Sequence, residues 1–215
     1  MNNAGEAPAR WLVVHDELLR GITHALSNRI ATISASNYMF QNGDVQIDHI
    51  TETLRVESER MEKLLQQLRL LPERPMAEAE PLTANDACAG AVQLHSYHSE
   101  LGDYPCDVSV DADVYPIWAE PVSFSHALVM AINAAKRNAV NGSRVSLKVS
   151  GDVRVVNFRA ESIPAPDTRD ELIDVDAAAA TWLLKRHGGS ARGLDNGCEI
   201  EVPTLLAARR AQKGL

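Results

Sequence analysis

The sequence predicts an α+β protein: an N-terminal antiparallel helical hairpin, then a sandwich of helices on a mixed sheet. Three observations carry this expectation. Apolar residues between positions 12 and 71 recur at steps of three and four, the period of an amphipathic helix. Pro72, Pro75 and Pro81 then interrupt the pattern. Beyond them, helical stretches alternate with short runs whose hydrophobicity repeats every second residue. A chain of 215 residues has room for a helical module and a further domain of about 130 residues. The parts are assigned as a hairpin over residues 8–73, a linker over 74–82, a second domain over 83–207 and a tail over 208–215.

The first helix runs from Leu12 to Phe40, its inward stripe expected at Leu12, Leu19, Ile22, Leu26, Ile30 and Ile33. "QNGD" at 41–44 ends it. The second stripe, at Ile47, Ile50, Leu54, Met61, Leu64, Leu68 and Leu71, is interleaved with Glu52, Arg55, Glu59 and Lys63. Two helices cannot bury both stripes, whereas two hairpins face to face make a four-helix bundle, so a homodimer is expected.

In the second domain a helix is expected from about Ala84 to Leu101, then strands at "CDVSVDAD" and "YPIWAE". The long apolar helix "SFSHALVMAINAAKRNAV" follows, and "SRVSLKVSGDVRVVNFRAE" reads as a hairpin turning at "SGD". An acidic loop over 163–175, the Ala-rich helix "DAAAATWLLKRHGG" and a strand pair through "CEIEVPTL" complete it. His187 is expected at a helix C-terminus beside a left-handed glycine, and "AARRAQKG" as a solvated tail. No internal repeat is visible.

The composition narrows the function. A formal net charge of -8 argues against nucleic-acid binding, which needs a basic face, and an acidic partner surface is likewise not favoured. No stretch has the length of a membrane span and the N-terminus lacks a secretory signal, so a cytoplasmic protein is expected. Cys88, Cys106 and Cys198 have neither ligand spacing nor an even count, which points to buried reduced thiols and to no metal site.

Within "GITHALSNRIATI" (21–33), His24 lies two residues from Ile22 and Leu26, about 200° around a helix, and so points away from the core stripe. Steps of four align Arg20, His24 and Asn28 on one face, with Ser27 beside them, and the small Ala25, Ser27 and Ala31 leave room for a partner to approach. Imidazole suits group transfer because its unprotonated nitrogen is a nucleophile near neutrality. Most exposed helical histidines do nothing, and periodicity alone does not lift His24 above them. His15, between Leu12 and Leu19, is expected to be partly buried and hydrogen-bonded, with Asp16 wrongly oriented to serve as its base.

The run "LLRGITHALSNRIATI" (18–33) resembles the phospho-acceptor box of sensor histidine kinases at Thr23, His24, Leu26, Asn28, Ile30 and Ile33. "ALVMAINAAKRNAVNGSRVSLKV" is similar to the N-box helix and following strand of the kinase ATP-binding domain, with Asn133, Ala134 and Lys136 on its "NAxK" core. "WLLKRHGGSARGLDNGCEIEVPTL" resembles that domain's closing helix and last strands. The resemblance implies a dimerisation and phospho-acceptor hairpin followed by a histidine-kinase ATPase-like α/β sandwich.

Three departures accompany it. Phe158, Ala160 and Ser162 in "FRAESIP" replace the family's adenine-binding Asp and two glycines. Asp174 and Asp176 in "DVDAAAA" stand at the second glycine box, where they would repel phosphate. Ala25 replaces the acid that orients the histidine and serves as base in autophosphorylation. The chain therefore looks most like the histidine phosphotransferases of phosphorelays, whose ATPase-like domain is degenerate.

That resemblance implies His24 as phospho-acceptor between receiver-domain aspartates, aided by Asn28 and Arg20, with Arg20, Ser27 and Ala31 meeting the partner. Asn133 and Lys136 become relics of nucleotide binding that cap or decorate a helix packed through Leu128, Ile132 and Ala135. The chain itself binds no cofactor, and Mg2+ comes with the receiver. Expected partners are response-regulator receiver domains, a hybrid histidine kinase and a second copy of the chain. Two alternatives stand beside phosphotransfer: a receiver phosphatase in which Asn28 positions water, and a non-catalytic pseudokinase scaffold. Active autokinase is disfavoured, because three boxes fail together.

Overall fold

A computed structural model describes residues 6–69, 78–137, 139, 143–165 and 168–212. The α+β architecture is as expected. Helices α1 (Glu6–Gln41) and α2 (Ile47–Leu68) form the hairpin. At its turn Gly43 takes φ 76°, and the amides of Asn42, Gly43 and Asp44 donate to the carbonyls of Tyr38, Phe40 and Met39. A left-handed residue after the last helical turn lets those carbonyls be satisfied locally.

The burial stripe of α1 differs from the expected one. Its buried residues are Ala7, Val14, Leu18 and Ile22, whereas Leu12 is 51% and Ile30 54% exposed. The reason is a second packing partner: the N-terminal half of α1 lies on the second domain, which rotates the buried face away from the one that α2 alone would select. On α2 the buried positions are Glu57, Leu64 and Gln67. Leu26, Ile30, Tyr38, Met39, Phe40, Ile47, Leu54 and Leu65 stay exposed in the single chain. Leu71, the last position of the second stripe, lies outside the described residues, as do Pro72 and Pro75.

Strand β1 (Glu80–Leu82) occupies the end of the stretch expected as linker and pairs antiparallel with β3 (Ile117–Ala119). Between them lie α3 (Ala84–His95) and β2 (Cys106–Val110). Thr83 caps α3, accepting from the Asp86 amide at 3.2 Å and donating to the Asp86 carboxylate at 2.6 Å. The helix stops at His95, short of the expected Leu101. There the His98 ring stacks on His95, and His98 Nδ1 accepts from the amides of Glu100 and Leu101 at 3.3 Å, which turns the chain.

Helix α4 (Pro121–Arg137) follows, its start capped by the Glu120 carboxylate, which accepts from Val122 and Ser123 at 2.9 and 2.7 Å. Strands β4 (Arg144–Gly151) and β5 (Val155–Ile163) form the expected hairpin, with the Asp152 carboxylate accepting from the Arg154 and Val155 amides in the turn. Helix α5 (Leu172–Leu184) starts earlier than expected, inside the predicted loop. A 3-10 turn over Lys185–His187 then leads to Gly188 at φ 68°, as predicted beside His187. Strands β6 (Ser190–Gly193) and β7 (Gly197–Pro203) and helix α6 (Leu205–Gln212) complete the described chain. The expected solvated tail therefore begins as a helix, and Arg209 lies 5.9 Å from the Trp118 ring.

The main sheet has the order β2-β4-β5-β7-β6, with β2 parallel to β4 and all other pairs antiparallel. Period-two burial explains the two layers. Val145, Leu147, Val149, Val156, Phe158, Ala160, Ile200 and Val202 face α4 and its neighbours. The opposite side carries charged pairs such as Arg192–Glu199 and Arg144–Asp107. Every residue of α4 from Ser123 to Lys136 is buried, which makes it the spine of the second domain. Cys88 and Cys198 are buried free thiols, with burial the first cause pushing each up to about 12.

The hairpin joins this domain closely. A Cβ on Gly21 would stand 1.6 Å from the Tyr97 carbonyl oxygen, so only glycine lets α1 approach the end of α3 there. Ser99 donates a hydrogen bond to Glu17 one turn before it. Gly21→Ala should lower stability by about 3 kcal/mol, or roughly 10 °C in melting temperature for a chain of this size. A melt identical to wild type would show that the contact does not hold.

Candidate functional site

The site predicted on α1 lies just beyond this junction. His24, Ser27, Asn28 and Ala31 are all exposed. Asn28 Nδ2 lies 3.3 Å from His24 Nε2, one helical turn away. An amide nitrogen only donates, so in this arrangement Nε2 is the unprotonated nitrogen and Nδ1 carries the proton. Ser27 Oγ donates to the Thr23 carbonyl at 2.9 Å and Thr32 Oγ1 to the Asn28 carbonyl at 2.9 Å, which keeps both hydroxyls on the helix. Arg20 is exposed on the same face, but its guanidinium is paired to Glu17 at 3.2 Å, toward the N-terminus. The structure therefore joins His24 with Asn28 and holds Arg20 apart in an ion pair.

Ala25 faces inward. It lines a pocket of about 170 Å3 with Arg29, Arg60, Lys63, Leu64 and Tyr97. Arg29 and Arg60 share the buried Glu57 carboxylate, at 3.4 and 2.6 Å. Three cationic side chains therefore line the pocket that His24's neighbour Ala25 enters, with Tyr97 contributed by the second domain. His15 is half-buried as expected, its ring 5.4 Å from Trp11 and 6.0 Å from His126, and burial lowers its pKa. Its Nδ1 is 4.0 Å from an Asp16 that is largely in solvent.

In the second domain the residues that the resemblance singles out for a nucleotide are engaged within the fold. Phe158 is fully buried and meets Phe124 edge-on at 5.1 Å, so the adenine-binding carboxylate is replaced by core. Asp176 is fully buried, and Asn133 Nδ2 donates to its Oδ2 at 2.9 Å. Arg10 Nε, from α1, donates to its Oδ1 at 2.5 Å, and Arg137 Nε stands 3.9 Å from Oδ2. Burial pushes the Asp176 carboxyl upward, while Arg10 and Asn133 pull it back. Asp174 is instead clamped at the surface by both Arg169 Nη atoms, at 2.5 and 2.9 Å.

Asn133 and Lys136 prove buried rather than decorative, with Lys136 Nζ donating to the Gly102 carbonyl at 3.3 Å. Burial lowers the Lys136 pKa. A buried carboxylate already bound to a guanidinium does not fit a triphosphate and its metal, and a phenylalanine committed to the core offers adenine no acceptor. Among the described residues no group of three or more His, Cys, Asp or Glu could hold a metal ion, and no helix is long and apolar enough to cross a membrane.

Arg10, Glu17, Glu57, Tyr97, His98 and Ser99 belong to this region and were not singled out from the sequence. Glu57 had a visible signal, since it fills the inward position in the gap between Leu54 and Met61. The others depend on the contact between hairpin and second domain, which no periodicity reports.

No protein-family model and no curated protein matches the sequence. Solved structures do match. The histidine kinase AdeS of Acinetobacter baumannii is 12% identical with a TM-score of 0.44, covering 84% of this chain and 96% of its own. A histidine kinase from Burkholderia phymatum is 10% identical with a TM-score of 0.47, covering 92% of this chain and 98% of its own. The histidine kinase ThkA, in a complex with the response regulator protein TrrA, is 14% identical with a TM-score of 0.47, covering 93% of this chain and 64% of its own.

The histidines at the end of α3 make this junction sensitive to pH. Burial lowers the His98 pKa to about 4; Glu17 raises it, and Arg137, Lys136 and Arg10 lower it further. His95, fully buried beside Lys136 and His98, is also held well below its usual range, burial being the first cause. Because the folded value is depressed, the unfolded chain binds the proton first as pH falls. The stability is present above about pH 6.5 and is lost as the pH approaches 4. In that window His98 contributes a slope of about 1.4 kcal/mol per pH unit. His98→Asn, whose amide oxygen can take the place of Nδ1, should remove that increment in stability measured from pH 7 to 4.5, leaving the part due to His95. An unchanged slope would refute it.

Proposed function

We propose that the chain is a histidine phosphotransfer protein of a two-component phosphorelay, passing a phosphoryl group between receiver-domain aspartates through His24 without ATP-dependent autophosphorylation. The observation that carries this reading is the contrast between its two sites. His24 stands exposed with its Nε2 lone pair directed by Asn28, while Asp176 and Phe158 are committed to contacts within the fold.

The step balances without nucleotide. His24 Nε2 attacks the phosphorus of a receiver's aspartyl phosphate, the P–O bond to the aspartate breaks, and the carboxylate leaves with the electron pair. The Nδ1 proton stays on the ring, giving a phosphoimidazolium that a second receiver's aspartate can attack in reverse. Asn28 must release Nε2 for this, which a 3.3 Å contact in solvent permits at small cost. The Mg2+ of the reaction comes with the receiver. Arg20, Ser27 and Ala31 offer the partner a charge and two small contacts, and Arg20 steers the phosphoryl group.

The exposed apolar residues of the outer hairpin support a homodimer built as a four-helix bundle. A hybrid histidine kinase is one source of a phosphorylated receiver, and the cytoplasm is the compartment where such partners meet. The position of Asn28 beside His24 also favours a second reading, a receiver phosphatase in which its amide orients water. A scaffold without chemistry is the third.

Mixing the purified protein with labelled ATP, and separately with a panel of phosphorylated receiver domains, distinguishes these. Acid-labile label should come from a receiver and not from ATP. It should vanish in His24→Ala and form about tenfold more slowly in Asn28→Ala, a factor worth about 1.4 kcal/mol. Label from ATP alone would sink the reading, and receiver dephosphorylation that depends on Asn28 without labelled His24 would replace it with the phosphatase.

A further inference from the structure

Asp176 has no exposure to solvent and lies 166 positions from the arginine that pairs with it. A carboxylate in that position is strongly unfavourable unless a cation and hydrogen-bond donors meet it. Asn133 supplies one donor to Oδ2 at 2.9 Å, and the charge is met at Oδ1 by Arg10 Nε at 2.5 Å. Arg137 approaches only to 3.9 Å and keeps 23% of its side chain in solvent, against 10% for Arg10. The Arg10 Nη2 atom is also buried, with no hydrogen-bond partner among the described residues, so that arm of the guanidinium has left water.

The next residue closes the same seam. Trp11 Nε1 donates to His126 Nδ1 at 3.2 Å, and its ring lies 5.8 Å from that of Trp182. Acceptors from α4 and α5 thus receive two consecutive side chains of α1, ahead of the Gly21 contact and of His24.

We infer that Asp176 and Asn133 form a guanidinium-binding site in the second domain, filled in cis by Arg10, and that this site fastens the domain to the acceptor helix where the resemblance would place a nucleotide. The ligand class has changed sign, from a phosphate to a planar cation. A guanidinium suits the site better than an ammonium, because its flat fork directs several N–H groups and gives up less hydration on burial. The site is independent of the phosphotransfer reading, since it concerns how the second domain is held.

Chemical rescue tests it in the full chain. Arg10→Ala should melt about 10 °C below wild type, the loss expected from stranding a buried charge in a chain of this size. Ethylguanidinium at tens of millimolar should recover at least half of that loss, while ethylammonium at the same concentration should not. Arg10→Lys should stay close to Arg10→Ala. Hydrogen exchange over residues 95–102 and in α5 should rise in Arg10→Ala and fall again with ethylguanidinium. A wild-type melt for Arg10→Ala, equal recovery with both amines, or no recovery with either would overturn the site. If Arg10→Ala does not fold, Arg10→Met combined with Asp176→Leu decides: recovery of a cooperative melt supports the pair, and its absence overturns it.

Discussion

One buried carboxylate organises the molecule. Asp176 sits inside the second domain with no water to stabilise its charge, so α5 can pack against α4 only if donors reach it. One of them, Asn133, is on α4, and the other, Arg10, is on the first helix of the chain. That requirement draws the N-terminal half of α1 onto the second domain and explains why Ala7, Val14, Leu18 and Ile22 are its buried residues. The packing of Gly21 on Tyr97 and the bond from Ser99 to Glu17 follow from the same approach.

Helix α1 consequently has two characters within 36 residues. Up to Ile22 it is a core element of a mixed domain; beyond Ala25 it is a hairpin arm with most of its large apolar side chains, Leu26, Ile30, Tyr38, Met39 and Phe40, in solvent. His24 stands at the change-over, rigidly supported from below and open above. A group that must meet a partner in a defined geometry gains from such a base, because little of the contact energy is then spent on ordering the helix.

Much of this was legible in the residues. The hairpin, its turn at Gly43, the β4–β5 pair about Asp152, the left-handed Gly188 and the outward direction of His24 all follow from local rules: helical period, strand period and turn chemistry act over a few residues. What was not legible depends on contacts between distant segments. Leu12 and Ile30 are as apolar as Leu18, and only the presence of the second domain decides which of them is buried. Arg10 reads as an ordinary helical surface charge until Asp176 is found opposite it. Strand β1 is three residues long and exists because β3 is beside it, which no pattern in "EPL" reports. Helix α3 ends at His95, before its pattern implies, because His95 and His98 are hydrophilic by type and buried by context.

The local energetics at His24 also bear on how the acceptor face would work. The Arg20–Glu17 pair is exposed on the arginine side, and such pairs are worth less than about 1 kcal/mol, so Arg20 is restrained but not fixed. A partner carrying a phosphoryl group offers the guanidinium two or three charged oxygens, a stronger acceptor than a carboxylate it shares with Ser99. An acid at position 25 would find a different setting. It would enter the pocket of Arg29, Arg60 and Lys63, where among the described residues Glu57 pairs with the two arginines, and its charge would be neutralised before it could act on the imidazole. The alanine leaves that pocket positive and leaves His24 without an intramolecular base. Both effects are in keeping with the proposed transfer, in which the phosphoryl group arrives from a partner and the histidine needs no base from its own chain.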